Sequence, residues 1–162
     1  MLAPKAILEQ WFARTLETYG AEAVPFLKDE RDPFRNPVGN RLRESMAVLV
    51  EELLADGGAE SPAHVLFSDV VRVQSALAEI VRIRAVQDLT ATQAVGFIFL
   101  LRPILDSALP SGNAALLNRR IDQFALLAFD EYVRCRERLA EIRASERLRT
   151  VRHASAVTRG RS

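Results

Sequence analysis

The densest polar constellation in the chain is Arg82, Arg84, Gln87 and Asp88, leading into Thr90 and Gln93. A guanidinium offers five N–H donors in a planar fork and an amide offers both donor and acceptor, so these side chains can satisfy one another or hold an anion or a polar ligand. The first outcome is an internal ion-pair and capping network; the second is a ligand or partner site. Trp11, Tyr19 and Asn36 are the further candidates for such contacts, and the same residues also suit core packing and a helix cap. Cys135 stands between Arg134 and Arg136, which would favour its thiolate, yet it falls on an apolar stripe where a cysteine serves as a small buried hydrophobe. It is the one candidate thiol site.

Nothing else reads as chemistry. His64 and His153 have no Cys or carboxylate at ligand spacing, so neither a metal site nor axial haem ligation is expected. No Ser/His/Asp arrangement, Gly-rich phosphate loop or DNA-reading helix-turn-helix pattern is present. The expectation is a chain without catalytic residues, without a cofactor and without a nucleic-acid partner.

The 162 residues, 49% hydrophobic and 27% charged, describe one globular domain, and a single Cys suits a reducing compartment, so the cytoplasm is the expected location. The longest apolar run, residues 94–101, is far short of the roughly 18–20 residues that cross a bilayer. Pro4 and Glu9 interrupt what would be a secretion signal. The net charge of +1 hides an asymmetry. Residues 143–162 hold six arginines (143, 147, 149, 152, 159 and 161) against Glu146, a net +5, which leaves −4 on residues 1–142. A basic end on an acidic body is either a solvated terminus or a docking element for an anionic partner.

The elements that must position these residues read as helices throughout, because apolar residues recur every three or four positions between the few Gly and Pro. Ile7/Leu8, Trp11/Phe12, Thr15/Leu16 and Tyr19 share one face of a first helix, with Gly20 available as a left-handed stop. A short helix over 21–28 and a charged connector over 29–35, anchored by Phe34, should follow. Asn36-Pro37 has the chemistry of a helix start, and Val38, Leu42, Met46, Leu49 and Leu53 continue it to the Asp56-Gly57-Gly58 break. Ser61-Pro62 repeats the pattern and opens a helix to about Asp88, with a break near Ser68 and with Val70, Val73, Leu77, Ile80/Val81 and Arg84 on one face. Thr90 and Gln93 form a capping box that starts the next helix, 91–107. Its apolar stretch 94–101 predicts a central element surrounded by others, kinked between Phe99 and Pro103. The last stripe, Leu117, Ile121, Phe124, Ala128, Tyr132, Cys135, Leu139 and Ile142, predicts one helix over 113–148, roughly 50 Å long.

Several of these blocks resemble a known family. Trp11 with Thr15-Leu16 and Tyr19, then residues 36–39 (NPVG), then 80–89 (IVRIRAVQDL) followed by 93–101 (QAVGFIFLL), are similar to the RsbRD amino-terminal domain, named after co-antagonists of the RsbT kinase in bacterial stress-response regulators. The resemblance covers about residues 5–145, and the 80–101 block is its most specific part. The closing block, 121–143, resembles short stand-alone members associated with respiratory sulfur-metabolism complexes. The resemblance implies a helical sensory or regulatory module, usually a homodimer, that passes a signal through its last helix to an output domain, and the expected protein partner is a kinase, a stressosome-type component or a redox-complex component. After Ile142 no room remains for the phosphorylatable STAS domain or the kinase that serves as output, so either a stand-alone adaptor or a fragment is expected. The resulting expectation is an all-α bundle of five to six helices, globin-like in arrangement, over residues 1–148, followed by a disordered basic tail over 149–162. Its function would be regulation by protein contact, with a small-molecule ligand at the 82–93 region as one input. The alternative is an accessory subunit docked on a respiratory redox complex.

Overall fold

A computed structural model describes residues 3–20, 36–55, 66–85, 87, 89–108 and 114–152, with the backbone of the last helix followed to Arg159. The described elements are α1 (Pro4–Glu17), α2 (Pro37–Leu54), α3 (Val70–Ala85), α4 (Ala91–Val95), a 3-10 segment (Gly96–Leu100), α5 (Leu101–Ala108) and α6 (Ala114–Arg159). The protein is all-α with a long C-terminal helix. It divides into two compact units, residues 1–132 and 133–162. The short helix expected over 21–28, the connector with Phe34, and the 56–65 segment with Ser61-Pro62 lie outside the described residues.

Within the first unit, α2 packs along α3, α1 lies against α2, the 3-10 segment and α5, and α4 abuts α3. The buried face of α1 is the one its spacing predicts: Ile7, Trp11, Phe12, Thr15 and Leu16. The helix ends earlier than a glycine stop would place it. Thr18 closes it in a right-handed conformation (φ −79°, ψ −9°), and Gly20 does not take a left-handed φ. Tyr19 thereby sits beyond the last turn, its amide still bonded to the Leu16 carbonyl (3.0 Å), with its ring buried.

Asn36 caps α2 as its sequence chemistry requires, its side-chain oxygen accepting from the Gly39 amide at 2.8 Å. Helix α3 begins at Val70, just past the break expected near Ser68. Its start is served by a residue from another helix. The buried Glu52 carboxylate of α2 accepts from the Ser68 amide (3.0 Å), the Asp69 amide (3.2 Å) and the Ser68 hydroxyl (2.8 Å). An anion there compensates amides that have no partner inside the helix. The other end of α2 is closed in the same way with the opposite charge. Buried Arg120 of α6 donates to the Leu53, Ala55 and Leu66 carbonyls at 2.7–2.8 Å. Phe124, one turn further along α6, stacks on Phe67 with ring centroids 4.8 Å apart.

The central 91–107 helix of the sequence reading is three pieces. After the five residues of α4 the chain tightens into the 3-10 segment, and α5 resumes at Leu101. With three residues per turn, the 3-10 geometry turns Phe97 and Ile98 inward and leaves Phe99 exposed, so the segment is not buried on all sides as expected. Pro103 falls in the first turn of α5, where its missing N–H breaks no helical bond.

In the second unit α6 continues to Arg159, beyond the end at 148 that the sequence suggested. Cys135 is buried, Leu139 is half-buried and Ile142 is exposed, so burial along the stripe ends a turn before the apolar pattern does. Every described residue from 140 to 152 is exposed.

Candidate functional site

Arg84 is the organising residue of the candidate site. Its place on the Val73/Leu77/Ile80/Val81 face of α3 carries it inward, and its side chain is fully buried. One terminal nitrogen, Nη2, donates to the Thr18 hydroxyl (2.9 Å) and to the Gln93 carbonyl (2.7 Å), tying the end of α3 to the end of α1 and to α4. The guanidinium carbon lies 4.6 Å from the centre of the Tyr19 ring and 5.2 Å from that of Phe97. Aromatic rings stabilise a cation by their quadrupole but accept no conventional hydrogen bond in its plane. Among the described residues, Arg84 Nε and Nη1 have no hydrogen-bond partner.

Around it, Trp11 donates from Nε1 to the Phe97 carbonyl (2.8 Å) and stacks on the Phe97 ring at 5.7 Å. The Thr18 hydroxyl donates back to the Thr15 carbonyl (2.6 Å). Thr15 and Tyr19 each bury a hydroxyl that finds no partner. Burial pushes the Tyr19 pKa above its usual value, with the charge of Arg84 and the proximity of its guanidinium donors to the phenol pulling the other way.

The stretch between α3 and α4 joins this cluster to the last helix. The Gln87 amide donates to the Arg84 carbonyl (3.2 Å). Thr90 and Gln93 form the expected capping box, with each side chain serving the other's backbone amide at 3.3 and 3.0 Å. Tyr132 of α6 donates its hydroxyl to the Leu89 carbonyl at 2.8 Å. Hydrogen bonds therefore link Arg84 to Gln93 and Gln93 to Thr90, the peptide bond joins Thr90 to Leu89, and the Leu89 carbonyl is bonded by Tyr132 of α6.

Of the residues singled out from sequence, Arg84, Trp11 and Tyr19 come together, with Gln93 joining through its carbonyl. Arg82 points elsewhere and pairs with Glu79 at 3.1 Å on the same helix. The Gln87 side chain is exposed, Asn36 serves α2 as its cap, and Asp88 lies outside the described residues. Cys135 is buried. Sequence reasoning missed Thr18, Phe97 and the Tyr132 bond. It also missed Glu52 and Arg120, although each is a charge set inside an apolar stripe, between Leu49 and Leu53 and between Leu117 and Ile121 respectively.

Among the described residues no group of three or more His, Cys, Asp or Glu could hold a metal ion, and no helix is long and apolar enough to cross a membrane. The chain belongs to the family described as the RsbT co-antagonist protein rsbRD N-terminal domain, whose model matches residues 5–147. Neither the comparison with curated proteins nor that with solved structures yields a match.

Proposed function

We propose that the protein is a non-enzymatic regulatory module of bacterial signalling that works through protein–protein contact, as a homodimer, with the Arg84 cluster as its input and α6 as its output. Membership of a regulatory family supports the class. The observation that carries the mechanism is the path from Arg84 through the α3–α4 stretch to Tyr132 of α6. A change at Arg84 alters its bond to Gln93, which shares the capping box with Thr90, the chain neighbour of the Leu89 that bonds α6, and this would supply the differential contact that a population shift requires.

The self-association surface we assign is the outward face of α6, where Leu126 is 63% and Phe129 48% exposed at i, i+3 spacing. Sedimentation equilibrium tests it. The full chain should sediment as a dimer and the Leu126→Glu/Phe129→Glu double variant as a folded monomer, whereas a wild-type monomer across the micromolar range would refute the dimer.

The accessory-subunit reading is favoured by one observation: the basic end is a helical element, with Arg143, Arg147 and Arg149 exposed along α6. Docking through it to an acidic partner, such as a redox-complex component, would weaken steeply with salt and be lost on deleting residues 147–162.

A further inference from the structure

Among the described residues, five buried side-chain polar atoms lack a hydrogen-bond partner, and four of them lie in three neighbouring residues: Thr15 Oγ1, Tyr19 Oη, Arg84 Nε and Arg84 Nη1. Buried polar groups are almost always paired, so a cluster of exceptions around one cation asks for a cause. Only Nη2 of Arg84 is engaged, with two acceptors. Three guanidinium N–H groups therefore remain, together with two hydroxyls that can each donate.

The unpaired groups are donors, or can act as donors, and they surround a positive charge that has no carboxylate within ion-pairing distance among the described residues. The Tyr19 and Phe97 rings lie against the guanidinium and compensate part of its lost hydration, but they leave its in-plane donors unserved. A negatively charged hydrogen-bond acceptor would complement both the donors and the charge. A carboxylate is acceptor-only and offers about four lone-pair sites on two oxygens, which suits this donor set. One guanidinium neutralises one charge, so a dianion would bring a second, uncompensated charge into the core.

We infer that the Arg84–Tyr19 cluster is a binding site for a small monocarboxylate, held by Arg84 Nε and Nη1 and by the Tyr19 hydroxyl, with Thr15 beside them. This rests on the reading of the cluster as the input of the module and names the chemistry of that input. Arg84 is fully buried, so the ligand reaches it only when the cluster opens.

Trp11, the only tryptophan, bonds the Phe97 carbonyl and stacks on its ring, so its emission reports the site directly. The full-length protein is titrated with acetate, propionate, phosphate, sulfate and chloride at constant ionic strength, following Trp11 fluorescence and thermal unfolding. Acetate or propionate should give a saturable change and, at a hundredfold excess over Kd, raise Tm by about 5–10 °C. Chloride should do neither. Tyr19→Phe, which keeps the ring, should weaken binding about tenfold or more, and Arg84→Met should abolish it.

No saturable response to either carboxylate overturns the assignment, as does a response that Tyr19→Phe and Arg84→Met both leave intact. Preference for sulfate or phosphate overturns the monocarboxylate chemistry. Sedimentation of the same samples separates this inference from the reading it rests on. Carboxylate binding without any change in self-association or partner binding leaves the site standing and removes its role as input. Regulated association without carboxylate binding does the reverse.

Discussion

If the stretch from Arg84 to Leu89 and Gln93 transmits strain to α6, then Arg84 and Tyr132 must be energetically coupled although they share no contact that the structure shows. A double-mutant cycle with Arg84→Met and Tyr132→Phe measures this. Tyr132→Phe deletes one neutral hydrogen bond, to the Leu89 carbonyl, and should cost about 1 kcal/mol, because Leu89 is half-buried and its carbonyl can turn to water. Arg84→Met deletes two charge-assisted bonds and two ring contacts, each worth about 1–3 kcal/mol, but also removes a buried charge with three unserved N–H groups. Exchanging a buried, incompletely paired charge for an apolar side chain of similar length is often neutral or stabilising, so the net change should lie within about 2 kcal/mol of zero. The coupling between them cannot exceed what the Tyr132 bond contributes, which bounds it at about 1 kcal/mol. Urea unfolding of the four proteins at a common m-value gives the four free energies. A coupling of about 0.5–1 kcal/mol supports transmission. Additivity within about 0.3 kcal/mol refutes the path, whatever the single variants do.

Three further outcomes follow from the geometry. Glu52→Ala strands two amides and a hydroxyl at the start of α3 and should cost about 3 kcal/mol, seen as a lowered urea midpoint. Arg120→Met leaves three carbonyls unserved between α2, Leu66 and α6, and should cost at least as much by the same assay. Burial raises the Tyr19 pKa above the 10.0 of an exposed phenol, so the unfolded chain releases that proton first. The stability this contributes is complete below pH 10 and is lost as the pH rises further, and Tyr19→Phe should flatten that alkaline decline in equilibrium unfolding measurements.

What could be read in advance was local. Asn36 with Pro37, and Thr90 with Gln93, announce helix starts because a cap and its amides lie within three residues of one another, and both caps form. The period of α3 separates Arg84, on the apolar arc, from Arg82, about a quarter of a turn beyond the arc's edge and exposed beside Glu79. What could not be read was tertiary. Thr18 meets Arg84 across 66 positions and Trp11 meets Phe97 across 86, and no spacing encodes either. The division of 91–107 was hidden for a different reason: an unbroken apolar run has no period, so a 3-10 segment that sends Phe99 outward reads the same as a buried helix.

The three buried charges among the described residues, taken together, say more about function than any one of them does. Glu52 sits where helix amides lack partners, and Arg120 where carbonyls lack them, so each charge meets the end of the macrodipole that favours it. Both are explained by the fold they hold together. Arg84 also stands at a helix C-terminus, the favourable end for a cation, and it too bridges elements, yet most of its donors do no such work. An apolar side chain would fill the same volume without the desolvation cost. Since the same chain places Glu52 and Arg120 with their hydrogen bonds made, the unpaired donors of Arg84 are not a general looseness of its core. Among the described residues they mark a place where the fold carries a charge that its own structural bonds leave largely unused, and in the proposed mechanism the stretch to Tyr132 is what would let that charge act on α6.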